Sequence, residues 1–226
     1  MRPRRSPSLP RLFALTAAAV MGLAGLSAVR AEPQNLTRLK EEIATYIDSG
    51  AYHREIAQVA TQAQAWLEQR VAQRKPGERL IVIFDLDETL LSNLPSMRPL
   101  DFGYVPDVWD AWVHAGRAPA IAPILGVYSA ARRLGFAIVL LTGREERYRT
   151  GTEKNLRAIG CDAYAALILK PDADTETTGA FKLAARRRLA ADGGTIVANI
   201  GDQESDFEGG ESERDFKLPD PFYLTK

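Results

Sequence analysis

Four short runs of mostly apolar residues constrain the fold of this chain more than any other feature of its sequence. The runs are Leu80-Ile81-Val82-Ile83-Phe84, residues 136–141, residues 167–169 and residues 195–200. A strand that is apolar on both faces is buried on both faces, as in a parallel sheet covered by helices. Residues 121–134, 151–159 and 180–191 lie between the runs and repeat apolar positions with helical spacing. This alternation predicts an α/β fold with a parallel sheet flanked by helices.

Two helices are predicted before the first strand. Residues 36–48 and 52–74 carry apolar side chains at helical spacing. The segment Lys75-Pro76-Gly77 follows them, and proline and glycine together end a helix. We therefore predict an N-terminal helical arm over residues 32–79 and a core domain over residues 80–226.

A long insertion separates the first strand from the helix at residue 121. Residues 91–120 are rich in proline and aromatic side chains, and they are too many for a plain connection. Trp109 and Trp112 are spaced so that they can share one helical face. The insertion is either a small satellite core or a helical cap whose aromatic side chains touch a substrate. In the second interpretation Trp112 is a substrate-binding residue.

The first 31 residues have the pattern of a secretory signal peptide. Arg2, Arg4, Arg5 and Arg11 precede an apolar run of 15 residues, and small residues follow it up to Ala31. An uncleaved anchor is the less favoured alternative, because a span of the bilayer needs roughly 20 apolar residues. We expect cleavage near Ala31, a periplasmic or secreted protein, and no stable membrane association after cleavage.

Charge and cysteine content exclude several classes of function. Residues 1–31 hold five of the 29 basic side chains and no acid, so 24 basic and 29 acidic side chains remain in residues 32–226. A mildly acidic body without a basic stripe is not expected to bind a nucleic acid polymer. Cys161 is the single cysteine and has no partner for a disulfide bond or a cysteine metal site. A small-molecule partner remains, and the sequence does not indicate an oligomeric state.

The chemically informative residues stand directly after the apolar runs. The first run is followed by Asp85-Leu86-Asp87-Glu88-Thr89, and the second by Thr142-Gly143-Arg144. Lys182 lies in the helix after the third run. The fourth run is followed by Gly201-Asp202-Gln203-Glu204-Ser205-Asp206. In an open parallel sheet, ligands bind beyond the carboxyl ends of the strands. These side chains are therefore expected to converge at one edge of the sheet.

Carboxylates crowded at one edge repel one another unless a cation lies among them. All the donors are oxygens, which favours Mg²⁺ over Zn²⁺. We expect Asp85 to attack the phosphorus of a phosphate ester, giving an aspartyl-phosphate that water hydrolyses. Asp87 is placed to act as general acid and base. Thr142 and Lys182 are expected to bind the remaining phosphate oxygens.

Each motif taken alone has a simpler explanation. The pair Asp85 and Asp87 also suits an acidic turn or a calcium loop, and a threonine such as Thr142 commonly caps the next helix. Lysines such as Lys182 are most often surface residues. The order of the motifs, each at or just beyond the end of a successive buried strand, is what favours a catalytic site.

Together these segments resemble the four motifs of the haloacid dehalogenase (HAD) superfamily. The matching segments are Phe84 to Pro95, Leu141 to Arg144, Lys182, and Asn199 to Asp206. More narrowly, they resemble the class B-like acid phosphatases of subfamily IIIB, which include the plant vegetative storage proteins. The tail Phe216-Lys217-Leu218-Pro219-x-Pro221-Phe222-Tyr223 belongs to this narrower likeness, which covers essentially all of the chain after the signal peptide.

The resemblance implies a Rossmann-like phosphatase core with a small cap inserted after the first motif. It implies that Mg²⁺ is held by the Asp85 carboxylate, the Asp87 main-chain carbonyl and Asp202. Asp206 would either assist the metal or brace Lys182.

The resemblance also implies where the substrate phosphate binds. The expected contacts are Thr142, Gly143 and Lys182. Lys170 competes for the lysine role because it directly follows a strand, but the matching motif places the functional lysine at the start of the next helix, which favours Lys182.

Three functions are compatible with these residues. The favoured one is a secreted Mg²⁺-dependent acid phosphatase, a hydrolase of aryl or nucleotide phosphomonoesters, because the chain keeps Asp85 whereas some storage members of the family have lost the nucleophile. The alternatives are a catalytically weak storage or binding protein on the same fold, and a phosphotransferase that passes phosphate to an alcohol. An acidic rate optimum is expected, because Asp87 must be protonated to serve the leaving group and lies close to another carboxylate.

Overall fold

A five-stranded parallel sheet forms the centre of the structure, a computed structural model that describes residues 32–225. The strands are β1 (Arg79–Phe84), β2 (Ala137–Glu145), β3 (Ala166–Lys170), β4 (Gly194–Gly201) and β5 (Asp215–Lys217). Their order across the sheet is β3-β2-β1-β4-β5, and every neighbouring pair is parallel. The predicted α/β fold is therefore confirmed. The short strand β5 was not predicted, because Phe216 is its only buried residue and leaves no apolar run.

Seven α-helices accompany the sheet in the described part of the chain. They are α1 (Leu36–Asp48), α2 (Ala51–Val71), α3 (Leu94–Met97), α4 (Pro106–Ala115), α5 (Ala122–Arg133), α6 (Arg149–Ala158) and α7 (Thr178–Ala191). Among residues 32–225, no helix combines the length and apolar character needed to cross a membrane. The predicted signal peptide, residues 1–31, lies outside the described residues.

The sheet is covered on both faces, as the uninterrupted apolar runs predict. In β1, Leu80, Val82 and Phe84 belong to the larger core, which also contains buried side chains of α2 and α5. The alternate residues Ile81 and Ile83 belong to a second core, against which one side of α7 packs. Successive side chains of a strand point to opposite faces, so both sides of β1 are buried by helices.

The helices of the N-terminal segment pack against the core. In α2, Tyr52, Ile56 and Leu67 are buried in the larger core. The indole nitrogen of Trp66 donates a hydrogen bond of 2.9 Å to the carbonyl oxygen of Val197 in β4. This helix therefore forms part of one covering layer of the sheet.

The insertion between β1 and α5 contains the helices α3 and α4, and it stands beside the carboxyl ends of the strands. Helix α4 lies against α6 at a close contact, where Gly151 faces the main chain of Val113 and His114. A Cβ atom at Gly151 would collide with the carbonyl oxygen of Val113 and stand 2.9 Å from His114 Cα. The absence of a side chain at this position lets the insertion approach the core.

We predict that Gly151→Ala destabilises the protein, whereas Gly126→Ala stabilises it. The first change forces α4 and α6 apart and should cost about 1–3 kcal/mol of unfolding free energy. Gly126 lies within α5, and the space that a Cβ atom would occupy there is open, so alanine should add about 0.5–1 kcal/mol through helix propensity. Urea denaturation of both variants measures the two effects, and equal midpoints for them would contradict the close contact.

Candidate active site

Two strand ends and helix α7 bring a lysine and three aspartates together at the carboxyl edge of the sheet. Asp85 follows β1, Asp202 follows β4, and Asp206 lies in the single 3-10 turn after it. Lys182 lies in the second turn of α7, because this helix starts two residues before the predicted one. Its Nζ atom donates to Asp85 Oδ1 at 2.6 Å and also to Asp206 Oδ1.

The alternative lysine lies elsewhere. The Nζ atom of Lys170 donates to the carbonyl oxygen of Glu176, within the loop between β3 and α7. Of the two lysines considered from the sequence, the structure places Lys182 beside Asp85. The interpretation in which Asp206 braces this lysine agrees with the observed contact.

The three aspartates form a buried acidic cluster that fits a metal ion. One carboxylate oxygen from each of Asp85, Asp202 and Asp206 lies within 4.8 Å of the others. Burial raises the pKa of Asp85 to about 7, with the charges of Asp206 and Asp87 adding to this effect and the Lys182 charge opposing it. Burial and the neighbouring Asp85 charge also raise the pKa of Asp202. Oxygen-only donors that repel one another at this range suit a hard divalent cation.

Arg144, whose role the sequence left open, pairs with Asp87. Its Nη2 atom lies 2.6 Å from Asp87 Oδ1, and its Nε atom lies 2.9 Å from Asp87 Oδ2. Asn93 adds a hydrogen bond of 2.8 Å from Nδ2 to Asp87 Oδ1. Burial alone would raise the pKa of Asp87, but the Arg144 charge and these hydrogen bonds outweigh it and lower this pKa. The sequence placed another carboxylate close to Asp87, and the structure adds a buried guanidinium, which the sequence did not assign to this residue.

Thr142 and Gly143 lie in the irregular last part of β2, which continues beyond the apolar run to Glu145. The Thr142 side chain is fully buried, and its hydroxyl oxygen accepts the main-chain N–H of Arg144 at 3.1 Å. Gly143 lines the cavity above the aspartates. A Cβ atom at Gly143 would stand 2.9 Å from Thr178 Cγ2 of α7. Glycine here lets the strand end and the helix start meet.

The two tryptophans of the insertion have different roles. The indole N–H of Trp112 donates to Asn93 Oδ1 at 2.8 Å, so this side chain orients the amide that contacts Asp87. Trp109 lines the cavity, and the Arg144 guanidinium carbon lies 5.6 Å from the centre of its ring. The sequence pattern indicated Trp112 for the cavity wall, but the structure places Trp109 there. The two residues are three apart on α4 and lie about 60° apart around its axis. They share one side of the helix, and this offset places Trp109 at the cavity and Trp112 at Asn93.

Glu88 belongs to the site, although no role was predicted for it from the sequence. It is fully buried with φ +51°, and its carboxylate accepts hydrogen bonds from Asn93 N at 2.6 Å and from the Tyr223 hydroxyl at 3.0 Å. Burial, with the nearby Asp87 charge, raises the pKa of Glu88 to about 8. Its position next to Asp87 was the only signal in the sequence.

Gln203 connects the acidic cluster to the C-terminal tail, residues 218–225. Its Nε2 atom donates to Asp202 Oδ2 at 2.7 Å and also to a carboxylate oxygen of Asp220. Its Oε1 atom accepts the main-chain N–H of Thr225 at 3.1 Å. Because Thr89 donates to the other oxygen of Asp202 at 3.2 Å, both oxygens of this carboxylate are oriented.

Helix α7 holds the loop that carries Asp206. Arg186, one turn after Lys182, is fully buried and donates to the carbonyl oxygens of Asp206, Glu208 and Gly210. The Asn199 amide donates to the same Asp206 carbonyl at 2.7 Å. One helix therefore fixes both the lysine and the main chain of its carboxylate partner.

A cavity of about 460 Å³ opens above these groups. Asp85, Asp87, Lys182 and Asp202 lie at its floor, and its walls come from the insertion, the end of β2 and the C-terminal tail. Buried acids, a paired lysine and a concave space are together typical of an enzyme active site.

Comparison with known proteins identifies relatives over almost the whole chain. A family model described as HAD superfamily, subfamily IIIB (acid phosphatase), matches residues 13–226. Acid phosphatase 1 of Solanum lycopersicum is 38% identical over 204 residues, which are 85% of this chain and 79% of that protein. Vegetative storage protein 1 of Arabidopsis thaliana is 34% identical over 147 residues, which are 63% of this chain and 54% of that protein.

The fold is also found among solved structures. The class C acid phosphatase from Bacillus anthracis superposes with a TM-score of 0.69 at 23% identity, covering 84% of this chain and 86% of that one. At this identity the likeness concerns the fold of the polypeptide, and it agrees with the parallel sheet described above.

Proposed function

The chain belongs to the acid phosphatases of HAD superfamily subfamily IIIB, a family that also contains plant vegetative storage proteins, and we propose that it works through Asp85 with Mg²⁺. Membership in this family identifies the chain as a phosphomonoester hydrolase. The observation that carries the assignment of residues is the contact of Lys182 with Asp85 and Asp206 beside Asp202, at the floor of one cavity.

Asp85, Asp202 and Asp206 are the residues that would hold the cation, together with the main-chain carbonyl of Asp87. Their donors are all oxygens, which is the set that Mg²⁺ prefers. When bound, the ion neutralises the carboxylates and the phosphate oxygens, so that a phosphate dianion can approach an anionic nucleophile.

Asp85 is the nucleophile in this proposal. One of its carboxylate oxygens forms a bond to phosphorus in line with the ester bond, and the P–O bond to the leaving alcohol breaks. Water then attacks the acyl-phosphate, which returns the Asp85 carboxylate and releases inorganic phosphate. Lys182 neutralises charge on the phosphate oxygens throughout.

Asp87 supplies and recovers the proton in this proposal. Its carboxylic acid gives a proton to the departing alkoxide, and its carboxylate then accepts a proton from the attacking water. Arg144 and Asn93 hold this carboxylate in one orientation with four hydrogen bonds of 2.6, 2.8, 2.9 and 3.2 Å. Against the effect of burial, the same partners lower the pKa of Asp87, so its protonated form requires acidic conditions.

We predict that Asp85→Asn abolishes turnover of an aryl phosphate. An amide cannot form the acyl-phosphate, so kcat should fall by about 10³-fold or more. Asp162→Asn is a matched control, because Asp162 is exposed; it should keep the wild-type rate. In the wild type, EDTA should remove activity and Mg²⁺ should restore it. Full activity of Asp85→Asn would favour a site that binds phosphate without using this residue.

We predict that kcat rises as the pH falls below neutrality, and that Arg144→Gln shifts this profile to higher pH. Asp87 must be protonated for leaving-group departure. Burial raises the pKa of this residue, and the Arg144 charge and hydrogen bonds more than reverse that effect. Loss of the guanidinium should therefore raise the pH of half-maximal kcat by about one pH unit or more.

Two further variants make the pH experiment specific. Arg144→Lys keeps the positive charge but loses the paired N–H donors of the guanidinium. Its pH profile of kcat should therefore lie between those of the wild type and Arg144→Gln. Arg133→Gln removes an exposed arginine of α5 and should leave the profile in place. A profile that rises steadily towards alkaline pH, or one unchanged in Arg144→Gln, would contradict the role of Asp87.

The N-terminal pattern supports a location outside the cytoplasm. Arginines before a 15-residue apolar run and small residues up to Ala31 are typical of a cleaved signal peptide. We expect N-terminal sequencing of the protein exported by its host to start near Glu32. A purified protein that retains residues 1–31 would contradict this proposal.

A further inference from the structure

The outer part of the active-site cavity is apolar, in contrast to its charged floor. One wall comes from the insertion and the other from the C-terminal tail. The apolar side chains that line this part are Met97, Leu100, Phe102, Tyr104, Val105, Trp109 and Leu224. A cavity of about 460 Å³ is within the range that holds a small organic molecule, so it has room for a phosphate and for the group attached to it.

Exposed apolar side chains are concentrated at the mouth of this cavity. Within residues 32–225, five large hydrophobic side chains are exposed, and three of them, Tyr104, Val105 and Leu224, line the cavity. Leu224 is 84% exposed and Tyr104 is 71% exposed. We refer to Tyr104, Val105 and Leu224 as the apolar rim. Apolar groups gathered in this way around an opening are typical of a binding surface.

The two sides of the apolar rim are fixed to each other. Phe102 of the insertion stacks on Phe222 of the tail, with ring centres 5.7 Å apart and planes inclined by 6°. Tyr223 and Thr225, on either side of Leu224, are hydrogen-bonded to Glu88 and Gln203. The tail wall is therefore held in place next to the catalytic carboxylates.

The polar groups of the outer cavity are poorly suited to reading a nucleobase. Glu145 and Arg147 are its two charged side chains, and they pair with each other at 2.6 Å. The other polar groups of the side chains near the mouth include the hydroxyls of Ser96, Tyr104 and Thr225. A site that selects a base uses several placed donors and acceptors, whereas this wall offers mainly apolar area.

We propose that the apolar rim binds the leaving group of the substrate, and that the preferred substrates are monophosphate esters of apolar alcohols. This inference rests on the proposed function, because the phosphate must occupy the cavity floor for the ester to reach the rim. The apolar chain then leaves water along the surface formed by Tyr104, Val105 and Leu224. Selectivity comes from burial of this chain, which increases with its length until the chain passes the rim.

The inference is tested by the binding of alkylphosphonates, which the enzyme cannot hydrolyse at the carbon–phosphorus bond. Butyl-, hexyl- and octylphosphonate are titrated into the purified protein with MgCl₂ in a calorimeter, below the concentrations at which they form micelles. Each added methylene should lower Kd by about fourfold. Two matched sets of variants accompany the series: Leu224→Ser and Tyr104→Ser change the rim, and Leu36→Ser removes a side chain of α1 that is 64% exposed and does not line the cavity.

In the rim variants, each added methylene should lower Kd by only about twofold or less. In Leu36→Ser, the decrease in Kd per methylene should equal that of the wild type. Equal Kd values for the three alkylphosphonates would overturn the inference. So would an unchanged dependence in both rim variants, or tighter binding of the phosphonate analogue of adenosine monophosphate than of hexylphosphonate.

A parallel assay of phenyl phosphate hydrolysis separates this inference from the proposed function. If phenyl phosphate is hydrolysed but the Kd of the alkylphosphonates does not depend on chain length, the proposed substrate class is wrong and the phosphatase activity is supported. Chain-length-dependent binding without turnover would support the apolar subsite and contradict the proposed catalytic role of Asp85.

Discussion

The constraint on which the site depends is the burial of three carboxylates beside a single ammonium group. Two like charges about 4 to 5 Å apart repel by about 3–4 kcal/mol at an effective dielectric constant of about 20. Asp85, Asp202 and Asp206 each place one carboxylate oxygen within 4.8 Å of the others. Lys182 contacts two of them and cannot neutralise all three. The cluster persists because rigid elements hold it: β1 and β4 are buried strands, and α7 supplies both the lysine and the Arg186 bonds to the Asp206 loop. The repulsion that remains suits the site to a hard divalent cation.

Much of the scaffold could be predicted from the sequence, because a strand that is buried on both faces is an uninterrupted run of apolar residues. The run Leu80 to Phe84 contains no polar residue, and it becomes the central strand with helices on both sides. The residue after such a strand must emerge at the carboxyl edge, which is why the positions of Asp85 and Asp202 followed from the sequence. Strand β5 contains no apolar run, because it has three residues and only one of its side chains is buried.

The partners of the site residues could not be predicted, because they depend on distances between segments that are far apart in the chain. Arg144 and Asp87 are 57 positions apart, and whether the guanidinium meets an acid or a phosphate depends on where β2 ends relative to β1. The choice between Trp109 and Trp112 depends on the rotation of α4 about its axis, which a two-residue pattern does not determine. Gln203 showed no apolar or charged signal, although it joins Asp202 to the tail.

The two acids of the first motif differ in environment, and this difference bears on the roles proposed for them. Without a bound cation, burial raises the pKa of Asp85 to about 7, whereas at Asp87 the Arg144 guanidinium overcomes burial and lowers the pKa. A nucleophile must be ionised and a general acid must be protonated. At neutral pH without a cation, Asp85 is only partly ionised and Asp87 is in its carboxylate form. A cation near Asp85 favours its ionised form, and acidity of the medium favours the protonated form of Asp87. Metal dependence and an acidic optimum would thus follow from one arrangement, in which Asp85 borders the acidic cluster and Asp87 borders the Arg144 guanidinium.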